Sequence, residues 1–273
     1  PRRVIPRTWQ GLAATGAIAL AAAPALTQTT PYLLPANQGG WLWQAEAEGG
    51  EGGEGGEAGG IASGDETVDF LAGLIQIEGH LTSSFALFDA GNADVGGEHL
   101  GHPGAEVYES IEHELEELGL PQFEDLLESL SATAAAGGDA AAMHGLHTQI
   151  LASTETAWQK AGAEEPADAF AAFRHIVLKA GDEWAEGVVD GAIVNLHEYQ
   201  DAWGFIEAVR ARAGALAQSQ DPNVAAAAQA TLAALADLAP ALPGVQPEGA
   251  IGGDAALFAA TAARIELAAF KVK

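Results

Sequence analysis

Apolar residues recur at helical spacing along most of the chain after residue 64. In the first such stretch, Val68, Leu71, Leu74, Ile75, Leu81, Phe85 and Phe88 fall on one broad stripe, which predicts a helix over about 65–89. A run of glycines and histidines from Gly91 to His102 breaks the pattern. Pro103 suits the first position of a second helix that stops at Gly119, with Val107, Ile111, Leu115 and Leu118 turned inward. Further helices are expected over about 121–135, 139–161, 166–180 and 182–219, the last two forming a pair or one helix kinked at Gly181. Asp221-Pro222 caps the start of another helix to about 239, and a final one covers 254–272. No strand-like alternation competes with this pattern. The expected fold is all-α, a bundle of about six to eight helices without a sheet.

The first 64 residues follow different rules. Arg2, Arg3 and Arg7 precede an uncharged apolar run from Gly11 to Leu26, and Ala23-Pro24-Ala25 offers a small-residue cleavage site. This predicts a secretory signal over 1–25 and a periplasmic protein, with an uncleaved N-terminal anchor as the alternative and the only expected link to a membrane. Residues 26–64 mix Thr, Pro and Asn with a repeated Gly-Gly-Glu tract and predict a linker, leaving 65–273 as the helical domain.

Charge narrows the choice of partner. The formal net charge is −27, and between Arg7 and Lys160 there is no lysine or arginine against 23 carboxylates. Such a chain repels phosphate backbones, so nucleic acid is excluded, while the expected partners are cations and a basic envelope protein. Cysteine is absent, which rules out thiol catalysis, iron–sulfur clusters and disulfide stapling. The chain also lacks a nucleophile elbow, a phosphate-cradling Gly-Lys loop, a dinucleotide fingerprint and a His-Glu-x-x-His site.

The residues left for chemistry are imidazoles and carboxylates. His99 and His102 stand in the glycine-framed loop ahead of Pro103, and His80 lies late in the first helix. On the polar side of the next helix, Glu106, Glu109, His113 and Glu116 follow His102 at spacings of four, three, four and three. Neighbours at those spacings can share a cation, so His80, His99, His102, Glu106, His113 and Glu116 are the candidate ligands for a divalent iron, zinc or copper ion. A solvated acidic face is the alternative, and with it a non-catalytic adaptor or structural protein of the cell envelope.

Two other positions stand out. Glu78 interrupts the first apolar stripe and needs a hydrogen bond or counter-charge across the bundle. In the helix after Gly181, Trp184, Val188, Asn195, Tyr199 and Ile206 mark an inward side, which puts Glu186, Asp190, His197 and Asp201 on the opposite one.

With its export signal, its alanine-rich acidic helices, the His113-Glu114-Leu115-Glu116 sequence and the stretch from Asn195 to Trp203, the chain resembles the imelysin family, although Ile111 stands where that family's motif has glycine. The resemblance implies a helical bundle and a metal-linked, iron-related role for His113 and Glu116.

Overall fold

The computed structural model describes residues 63–162 and 165–272; the expected signal and nearly all of the expected linker lie outside them. The described chain is essentially all helix. It begins with α1 (Glu66–Asp89), whose first turn is capped by the Asp65 carboxylate accepting from the Thr67 and Val68 amides. Two short segments follow: α2 (Ala93–Glu98), then a π-helical turn (Pro103–Tyr108) running directly into α3 (Glu109–Glu117). Next come α4 (Glu124–Ala135), α5 (Ala140–Ala161) and α6 (Pro166–Gly187), then α7 (Leu196–Leu216), α8 (Pro222–Leu235) and α9 (Ala256–Ala269). None of the described helices is long and apolar enough to cross a membrane.

Helices α6 to α9 pack around one another as a four-helix unit, and α1 lies against both α6 and α7. Nearly every side of α1 is covered, so its buried residues include Gly73, Gly79, Ser83 and Ser84 as well as the expected apolar stripe. At Gly79 and Gly204 the backbones of α1 and α7 approach very closely. A Cβ built on Gly204 would lie 2.3 Å from the Gly79 carbonyl oxygen, and one on Gly79 would lie 3.0 Å from the Phe205 amide nitrogen. Ser83 Oγ donates to the Gln200 carbonyl at 2.6 Å, locking the same crossing.

Three expectations are corrected. The helix does not break at Gly181, whose missing Cβ makes room for Phe258: a methyl there would sit 2.8 Å from the Phe258 Cβ. The break falls at 188–195, where β1 (Val188–Val189) pairs antiparallel with β2 (Ala192–Ile193). Asp190 and Gly191, both at positive φ (51° and 77°), make the tight turn, an Asp-Gly hairpin signal between Val188-Val189 and Ala192-Ile193. A small ribbon therefore replaces the expected absence of sheet. Finally, the loop expected over 91–102 contains α2, held to α1 by Ser84 Oγ donating to the Gly96 carbonyl at 2.6 Å. A Cβ on Gly96 would lie 2.8 Å from the Ser84 carbonyl oxygen, so only glycine allows α2 this close.

Glu78 meets its requirement across the bundle. Arg212 Nε donates to Glu78 Oε2 at 2.9 Å and its other nitrogens reach Glu78 Oε1 and Glu155, while Thr154 Oγ1 donates to Glu78 Oε1 at 2.6 Å. The guanidinium also lies 4.6 Å from the Trp158 ring. Glu78 is thus committed to holding α1, α5 and α7 together.

Candidate metal centre

The crossing at Gly79 and Gly204 sets His80 of α1 against Asp201 of α7. Asp201 is 1% exposed, and its Oδ1 lies 2.8 Å from His80 Nδ1 and 2.8 Å from His99 Nδ1. A carboxylate oxygen only accepts, so both imidazole nitrogens donate to it. Burial would push the Asp201 carboxyl upward, but the two imidazoles outweigh that and hold it well below the usual carboxylate range.

His99 is completely buried, delivered to this point by α2. Its second nitrogen, Nε2, faces Gln200 Oε1 at 2.9 Å. The Gln200 amide nitrogen donates to the Val245 carbonyl at 3.3 Å, which leaves its oxygen toward His99. Both His99 nitrogens therefore donate, as in an imidazolium. Burial alone would lower its pKa, but the Asp201 and Gln200 hydrogen bonds and the Asp201 charge raise it.

Two more imidazoles complete the cluster. His102 precedes the π-helical turn, and its Nδ1 lies 3.0 Å from Glu106 Oε1. His197 sits in the first turn of α7, where the Asn195 side chain accepts from the His197 amide. Its ring stacks on His99 with centroids 4.1 Å apart and lies 4.5 Å from the His102 ring. Burial, reinforced by the His99, His102 and His80 charges, pushes the His197 pKa down to about 4 against the pull of Asp201, so the ring is neutral at pH 7.

The chemical consequence lies in two atoms. His197 Nε2 and Asp201 Oδ2 are buried, lie 3.4 Å apart and have no hydrogen-bond partner in the protein. An imidazole nitrogen and a carboxylate oxygen buried side by side without a hydrogen bond are costly. A metal ion between them would satisfy both. His80, whose Nδ1 is engaged by Asp201, has its second ring nitrogen, Nε2, outside that hydrogen bond.

Three groups of possible ligand atoms lie within 4.8 Å of one another: His80, His102 and Glu106; His80, His99 and Asp201; and His102, His197 and Asp201. Each is two imidazoles and one carboxylate, a donor set suited to non-haem iron(II) and to other borderline divalent ions. The residues present fit a metal.

Of the sequence-predicted ligands, the structure brings His80, His99, His102 and Glu106 together. His113 and Glu116 join none of these groups. The His113 side chain is 81% exposed and its Nε2 lies 3.2 Å from Glu117 Oε1, because α3 turns Ile111 and Leu115 to the core and this side to solvent. Sequence reasoning missed His197, Gln200 and Asp201. The His197-x-x-x-Asp201 spacing was the available signal, but the apolar stripe assigned that side of the helix to solvent.

The described residues form an all-helical bundle around a buried cluster of histidines and carboxylates. Residues 159–270 match the sequence model of the iron permease-associated 4-helix bundle domain. That span covers the end of α5 and all of α6 to α9, so the matched unit supplies His197, Gln200 and Asp201, while His80, His99, His102 and Glu106 come from the helices before it. The match overturns the resemblance to the imelysin family, a different family whose quoted His-x-x-Glu lies on the solvent side of α3. No curated protein and no solved structure matches the chain.

Proposed function

We propose that the protein binds a divalent transition-metal ion, iron before zinc or copper, as the cargo of an uptake system in the cell envelope. The facing, unpartnered pair of His197 Nε2 and Asp201 Oδ2 carries this reading. His102, His197 and Asp201, whose ligand atoms converge, hold the ion, with His80 against Asp201 beside them. His99 instead holds Asp201, since both its nitrogens are engaged. Glu106 supports His102. The iron permease-associated description of the matched domain supports iron as the cargo and a membrane permease as the partner that receives it. A lack of thiolates disfavours tight capture of soft ions. The sequence pattern of residues 1–25 supports a periplasmic location.

Elemental analysis of the untagged protein beside an Asp201→Asn variant tests this. Stoichiometric metal in the wild type and loss in the variant is the expected result. No metal in either, after loading with Fe²⁺ under anaerobic conditions, would overturn it and favour a non-catalytic acidic adaptor.

A further inference from the structure

Two of the three groups differ in how accessible their carboxylate is. One is His80, His102 and Glu106; the other is His102, His197 and Asp201, and His102 is the residue they share. The contrast lies in the carboxylates, since the Glu106 side chain is 24% exposed and that of Asp201 1%; the His102 and His197 side chains are each 22% exposed and His80 3%, but the His197 Nε2 atom that faces Asp201 is itself buried. The His102 ring lies between the two, with its centroid 5.3 Å from that of His80 and 4.5 Å from that of His197.

Charge argues against filling both triads at once. Two divalent ions would set four positive charges against the carboxylates of Asp201 and Glu106 alone. Like charges so close together in a site of low dielectric repel strongly. A hydrated cation also sheds water most cheaply in steps, replacing each lost water by a protein donor before losing the next.

We infer, building on the metal reading above, that the centre takes a single divalent cation through two successive positions: an outer one at Glu106 and His102, and an inner one at His197 and Asp201, with His102 handing the ion across. Glu106 is then a loading residue. It governs how fast the ion arrives and leaves, while Asp201 governs how tightly it is held. Once the ion has moved inward, the Glu106 carboxylate returns to the His102 Nδ1–H, the pairing seen in the structure.

Co²⁺ alone, followed by its visible absorption, is the probe. Wild type, Glu106→Gln and Asp201→Asn are compared by equilibrium titration, by stopped-flow capture and by release into excess chelator. Glutamine keeps an acceptor for His102 at a half-exposed position, so the variant folds, as far-ultraviolet circular dichroism will confirm. The expected result is one Co²⁺ per wild-type chain, with Glu106→Gln slowing both capture and release by about tenfold or more, a larger factor than its loss of affinity. Asp201→Asn is expected to lose about 100-fold in affinity. Two ions per chain, or a Glu106→Gln variant that loses affinity without slower capture, or one with unchanged rates, would overturn the two-position route. Failure of the wild type to bind any Co²⁺ would instead overturn the metal reading itself.

Discussion

Asp201 is ionised at a position from which water is excluded, and the rest of the centre follows from how that charge is held. One oxygen takes the protons of His80 and His99, which leaves the other facing a neutral His197. Replacing Asp201 by Asn substitutes an amide for the anionic oxygen, so metal affinity should fall about 100-fold in a calorimetric titration. His113→Ala, on the solvent side of α3, should leave the same titration unchanged. Arg212→Met tests the neighbouring network: it strands the Glu78 carboxylate and should cost about 3–5 kcal/mol in urea unfolding. His147 supplies a pH dependence. It stacks on Phe85 at 3.9 Å, and burial lowers its pKa to about 4, below the ordinary 6.5. The unfolded chain therefore takes up a proton as the pH falls through 6.5 while the native state does not until about 4, so stability is lost across that window. His147→Leu should flatten the melting temperature measured between those limits, removing roughly 1–2 kcal/mol of acid lability. The loop histidines were legible in the sequence because glycines frame them and no basic residue competes nearby. His197 and Asp201 were not, because a helical wheel sorts polar residues to water and does not distinguish a solvent face from a buried polar centre.

Close approach of whole elements is what turns these side chains into a site. His80 follows Gly79, and Asp201 precedes Gly204 by less than one turn, so the point where α1 and α7 touch also fixes the 2.8 Å contact between imidazole and carboxylate. A Gly204→Ala change would force the helices apart, because no rotamer relieves a backbone clash. It should destabilise the fold by about 1–3 kcal/mol in chemical unfolding and weaken metal binding although no ligand has changed. The helical periods, the caps at Asp65, Asp139 and Asp221 and the proline starts could be read in advance, since they depend on neighbours in sequence. The reversal at 188–195 was hidden inside a long apolar pattern, although its Asp-Gly turn is local, and the packing role of Gly181 depends on Phe258, far along the chain. The π-helical turn at 103–108 is likewise a tertiary outcome, and it sets His102 and Glu106 side by side at the edge of the cluster.

At the scale of the molecule, the cluster lies where the segment matching the iron permease-associated bundle meets the helices before it, so neither part carries all of its imidazoles and carboxylates. Isolated residues 159–270 should accordingly bind metal far more weakly than the full chain. The net charge of −27 raises the local concentration of cations around such a site and keeps polyanions away. A bound ion also stabilises the native state by mass action, by about 2.7 kcal/mol when the free ion is at 100 times its dissociation constant. The most direct test of the central claim is an anaerobic calorimetric titration of the full chain with Fe²⁺, run beside a His197→Ala, Asp201→Asn double variant. Saturation at one ion per wild-type chain, with no resolvable binding in a folded double variant, is the predicted result. Equal binding by both proteins, or none by the wild type, would contradict it.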